Sequence, residues 1–370
     1  MEILFKKKTS DRDSSIELLR IICMLFVIVH HFIIRGARVA VDNSIFEPTL
    51  SPDYILSVFL DPFVYCAVNV FVLISGYFGI KLKISNITNL YTRCAIYGLL
   101  CYLVHIYVDG GTLGRYYFLH ECLFSLTNTR WFIGAYLALL LLSPILNASI
   151  QNIGRYQFNY FLLLLTIINV YFGWLGGAPV NPTGYNVMQF IYLYFLGRYL
   201  NIYHITIDKK YAIFVYVLCA ILSGTLSFIF IDTRETTKWF FLFAEKYNSP
   251  ILIVESVALL LLFRNFVFKN RIINWAASSV IAVYLIHTNP NIDESILYPL
   301  LSDNYFSIDT IFLRYLVLFC LSVGTLIGCL IIDKLLSFVI VPVSHLLEKI
   351  GNKIILAISN NLIFPAKRSQ

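Results

Sequence analysis

The chain has 370 residues, of which 59% are apolar or aromatic and 13% charged, and its mean hydropathy is +0.76. A water-soluble domain of this length needs a far more polar surface, which excludes an ordinary soluble globule and makes a bilayer the natural solvent. The net charge of +7 is no argument for nucleic acid here, because in a membrane chain the distribution of Lys and Arg matters more than their excess.

The first twenty residues, MEILFKKKTSDRDSSIELLR, are mostly polar, and no small-residue cleavage site follows the first apolar run. That run is therefore expected to be a retained helix rather than a removable signal. Apolar segments follow in order at 15–34, 54–80, 90–108, 131–147, 158–177, 187–203, 211–231, 250–268, 272–290 and 311–340. The stretch 112–127 is interrupted by Arg115, His120 and Glu121, and is not a span on this reading. Segment 54–80 carries Asp61 and Pro62, which is compatible with an interfacial first part. The expected fold is an all-α integral membrane protein of about ten transmembrane helices. A membrane domain covers 1–340, and 341–370 forms a basic amphipathic tail on the inner leaflet.

Orientation follows from the basic residues. With the N-terminus inside, eighteen Lys and Arg fall on the inner side and seven on the outer, while Arg20, Arg93 and Arg314 lie within spans. That asymmetry places both termini in the cytoplasm, which requires an even number of crossings. The eight cysteines lie mostly within apolar runs without metal-type spacing, so they read as small buried hydrophobes, with no metal site expected.

Charges and histidines inside a span are costly, so each is a candidate for function. In the first segment, Arg20 and His31 are eleven residues apart, which returns to within about 20° of one helix face. Their Cα atoms are expected about 16 Å apart along the axis. His30 points about 80° away from that face. The alternative is that Arg20 snorkels to the inner headgroups and His31 marks the outer end of the helix. Glu255 and Arg314 also lie within spans and pair with each other or with other groups. Asp61, Glu121 and Asp293-Glu294 are by default solvated outer-loop charges.

Four segments carry a resemblance. Arg20 followed by ten residues and His31-Phe32, the run NVFVLISGYF from Asn69 to Phe78, RWFIGAYLALLLLSPIL from Arg130 to Leu146, and SVIAVYLIH from Ser279 to His287 occur in that order. Together they resemble the acyltransferase family 3 membrane enzymes over nearly the whole chain. The resemblance implies transfer of an acyl group, usually acetyl, from acyl-CoA to a hydroxyl of a surface or lipid-linked glycan. It assigns the catalytic histidine to His31 and the matching arginine to Arg20. A basic pair near the third span is common in the family, and here only Arg93 is a clear match. Ser75, Tyr77, Trp131, Tyr136 and His287 then become candidates for a substrate channel. Packing, an aromatic belt or a structural hydrogen bond are the competing readings for these five.

The chemistry suits these residue types. An alcohol is a poor nucleophile near neutral pH, and a neutral histidine beside it acts as general base. The donor's phosphates cannot enter hydrocarbon and call for a cationic mouth. The expected function is thus a polysaccharide O-acetyltransferase of a bacterial inner membrane. Acyl-CoA is its co-substrate, no cofactor is permanently bound, and no nucleic acid partner is expected. A transporter or flippase of a lipid-linked glycan is the alternative, weakened by the lack of a detectable internal repeat. A glycan polymerase is disfavoured by the lack of a long outer loop.

Overall fold

A computed structural model describes residues 13–35, 51–110, 131–151, 153–175, 181, 183–229 and 246–363. The interrupted stretch 112–127, with Glu121, lies outside the described residues. These contain helices and no strand.

Helix α1 (Ser14–Ile33) starts where Asp13 accepts the backbone N–H of Ser15 at 3.2 Å, with Glu17 in the first turn beside the positive end of the helix dipole. Helix α2 (Pro52–Tyr65) is capped by Ser51 and opens on Pro52, whose missing N–H costs nothing at that position. At Cys66 the chain makes a joint and continues as α3 (Ala67–Phe78), which stops at Gly79 with φ +74°. Ser256 donates its hydroxyl to the Cys66 carbonyl (3.4 Å) at the joint. The segment around Asp61 is helical, and with α3 it gives 27 apolar-rich residues, Pro52–Phe78, long enough to cross a membrane with an internal joint.

There follow α4 (Ile84–Asp109), α5 (Trp131–Gln151) and α6 (Arg155–Thr166), the last running into a π-helical stretch, Ile167–Leu175. Next come α7 (Val187–Ile202), α8 (Lys209–Ile229) and α9 (Pro250–Arg264). The expected segment 272–290 is two short helices, α10 (Arg271–Ala277) and α11 (Val280–His287), broken at Ser278-Ser279. After α12 (Tyr298–Tyr305), helix α13 runs from Ile311 to Ile363, straight through the boundary expected at 340.

Seven helices among the described residues are long and apolar enough to cross a membrane: α1, α2–α3, α4, α5, α6 with its π stretch, α8 and α13. The other expected segments form shorter apolar helices. Helices α7 and α9, of 16 and 15 residues, reach only about 24 Å at 1.5 Å per residue, against a hydrocarbon core of about 30 Å. The protein is a multi-pass helical membrane protein.

In lipid, helices gain little from hiding apolar side chains, so close backbone approach and internal polar links hold the bundle. A Cβ added to Gly76 of α3 would meet the Tyr194 carbonyl of α7 at 2.3 Å, and one on Gly197 would meet the Leu73 carbonyl at 2.4 Å. Asp333 of α13 accepts from both Arg93 and the Tyr97 hydroxyl of α4 (2.5 Å for the latter). Arg314 pairs with Asp53, not with Glu255. Glu255 is fully buried near Cys66. Helix α1 sits at the centre, packed against α2, α3, α9, α10, α11 and α13.

Candidate active site

One face of α1 borders a cavity of about 530 Å³, lined also by α2, α3, α4, α5, α10, α11 and Tyr247. Arg20 and His31 both line it, as their shared face requires. Arg20 Nη1 donates to Glu17 Oε1 at 3.1 Å; Glu17 is buried, while Arg20 keeps about a third of its side chain exposed. One bond to Glu17 holds the guanidinium without using its whole fork of donors.

His31 has its Nδ1 3.2 Å from Nε2 of His287 on α11. The other ring nitrogen of His287, Nδ1, lies 2.7 Å from the Val283 carbonyl one turn back. His30 also lines the cavity, and its Nδ1 is 2.6 Å from Asp61 Oδ1 on α2. Asp61 is 1% exposed. Two neighbouring imidazoles thus have different supports, another imidazole behind one and a carboxylate behind the other.

Beyond the histidines the wall is aromatic. The Tyr65 and Tyr247 rings stack at 4.7 Å with their planes 6° apart, and Trp131 packs 5.5 Å from Tyr247. Tyr247 is held by its backbone: its carbonyl accepts from Asn69 Nδ2 (2.8 Å) and Gln189 Nε2 (2.7 Å), and its N–H donates to the Thr183 carbonyl (2.9 Å). These buried amide bonds place an aromatic face at the cavity rather than leaving a loop to wander.

Among the expected site residues, Arg20, His31, Ser75, Trp131 and Tyr136 line this cavity together. His287 stands behind His31 rather than in the wall. Tyr77 packs beneath the Arg264 guanidinium, 5.0 Å from ring centroid to charge. Arg93 is away from the lining, engaged by Asp333 and by Asn89 Oδ1 (3.1 Å). Asp61 and Asp293 are not solvated loop charges: Asp61 is buried against His30, and Asp293 pairs with Arg35. Sequence reasoning set His30 aside and missed Asp61, Tyr65 and Tyr247. A signal existed for two of them, since Asp61 and Tyr65 are four residues apart and share one face of α2.

A central helix thus presents a cation and an imidazole to one cavity inside a multi-pass helical membrane protein. Its sequence matches the acyltransferase domain of acyltransferase family 3 over residues 13–334, and the chain belongs to that family. No curated protein and no solved structure matches it significantly.

Proposed function

We propose that this protein is an O-acyltransferase of the bacterial cell (inner) membrane, moving an acyl group, expected to be acetyl, from acyl-CoA to a hydroxyl of an exported or lipid-linked polysaccharide. The observation that carries the reading is Arg20 and His31 on one cavity wall, in a chain of an acyltransferase family.

In this reading Arg20 holds an anionic part of the donor through its planar fork, and the acyl thioester reaches toward His31. The bare nitrogen of His31 takes the proton of the acceptor hydroxyl as that oxygen attacks the thioester carbonyl carbon. The carbon–oxygen bond forms and the carbonyl electrons move onto its oxygen. Collapse of this tetrahedral species breaks the carbon–sulfur bond. The imidazolium then returns its proton to the departing thiolate, so the products are the ester and free thiol. Tyr65, Trp131 and Tyr247 offer apolar faces that suit a sugar ring. Arg93 enters the reading only by tying α4 to α13.

Purified protein supplied with radiolabelled acetyl-CoA and the cell's own lipid-linked glycan is expected to label the glycan. His31→Ala is expected to lower that rate by about a hundredfold or more at unchanged abundance, the scale of general base catalysis. Glycan movement across vesicles without acyl-CoA consumption would favour the flippase reading instead. Undiminished transfer by the His31 variant would refute the assignment of the base.

A further inference from the structure

We infer that His287 is a positioning residue that fixes the tautomer of His31 and leaves the His31 Nε2 lone pair as the base. The inference follows from three atoms in a row. A carbonyl oxygen only accepts, so the 2.7 Å contact between His287 Nδ1 and the Val283 carbonyl places a proton on that nitrogen. His287 is 2% exposed, and among the described residues its two polar contacts are that carbonyl and another imidazole. An imidazolium there would be a buried charge facing no carboxylate among the described residues, so the ring is neutral and its Nε2 carries a lone pair.

That lone pair faces His31 Nδ1 at 3.2 Å. Two bare nitrogens at this distance would repel and forfeit the bond, so His31 Nδ1 carries the hydrogen and donates it. A neutral imidazole has one proton, which leaves Nε2 of His31 bare. The chain of donation therefore runs His31 to His287 to Val283, anchored on a backbone carbonyl of α11. When His31 takes a proton during the reaction, its Nδ1–H becomes a stronger donor to the same partner, so the support tightens as positive charge develops. A buried ring that orients a catalytic imidazole in this way needs no contact with either substrate. This departs from the channel role that the sequence suggests for His287, and its catalytic half rests on the acyltransferase reading.

Two measurements test it. Nitrogen NMR of ¹⁵N-histidine-labelled protein in bilayers, with His31→Gln as the difference sample, is expected to show His31 protonated on Nδ1 and bare on Nε2. A His31 signal from the opposite tautomer would overturn the inference. This readout does not depend on turnover, so absent acyl transfer by the wild type would refute the proposed function and leave the tautomer standing. The second measurement compares His287→Gln, whose amide oxygen can accept where Nε2 did, with His287→Leu, which cannot. His287→Leu is expected to lower kcat about a hundredfold or more with KM for the donor little changed, and His287→Gln to recover most of that loss. Wild-type kcat in the Leu variant, or equal loss in both variants at equal thermal stability, would count against the role.

Discussion

His30 and His31 are adjacent in the chain, yet their environments ask different things of them. His31 is backed by another imidazole, whereas His30 is bonded to a carboxylate 1% exposed within the bundle. Removing one partner of a buried, charge-bearing pair leaves the other without compensation, at a cost of about 3 kcal/mol or more. His30→Ala is therefore expected to lower thermal stability in detergent by an amount on that order. His30→Ala with Asp61→Asn removes the stranded charge, and should recover part of the loss in a double-mutant cycle. A melting temperature equal to wild type in the single variant would show that the pair contributes nothing. The contrast also explains what could be read in advance. Arg20 and His31 were legible because one helix fixes the angle between its own residues. Asp61 lies 31 residues beyond His30 and Asp333 lies 240 beyond Arg93, and no helical period reports a partner on another helix.

At the scale of elements, apolar segments announced most of the helices, while their internal breaks stayed hidden. The joint at Cys66, the π-helical stretch Ile167–Leu175 and the gap at Ser278-Ser279 fall inside segments that the sequence delimits only as single runs. The α3–α7 contact was only partly visible. Ser75-Gly76-Tyr77 reads as either packing or a cavity break, and the structure uses its members for both, with Gly76 in the seam and Ser75 in the cavity wall. A methyl at Gly76 would run into backbone, which cannot step aside as a flexible side chain would. Gly76→Ala is expected to cost about 1–3 kcal/mol by overpacking. Gly324→Ala on α13, where a Cβ meets nothing within 4 Å, serves as the matched control and should be neutral or slightly stabilising. Equal melting temperatures for the two variants would refute the seam.

Across the whole molecule, internal bonds gather the ends of the helices into two groups. Arg264 pairs with Asp13, Ser14 bonds Asn274 (2.9 Å), and Lys334 donates to the Trp275 carbonyl (2.7 Å), all at one end. Arg314 with Asp53 and Arg35 with Asp293 lie on the other side of the spans that connect them. The first group coincides with loops on the lysine- and arginine-rich side of the sequence count. A reporter fused after Gln370 is expected to be active only as a cytoplasmic fusion, and an extracytoplasmic signal would overturn the proposed even number of crossings. Helix α13 adds a consequence of another kind. Its 53 residues extend about 80 Å, far more than a hydrocarbon core of about 30 Å, so it meets the bilayer obliquely or runs beyond it. Tilt is how a long helix answers a change in membrane thickness. Because α13 packs on α1 and α11, which carry His31 and His287, a change in its tilt is expected to reach the helices that hold the imidazole pair. The rate of the proposed acyl transfer is therefore expected to vary with lipid chain length in reconstituted vesicles.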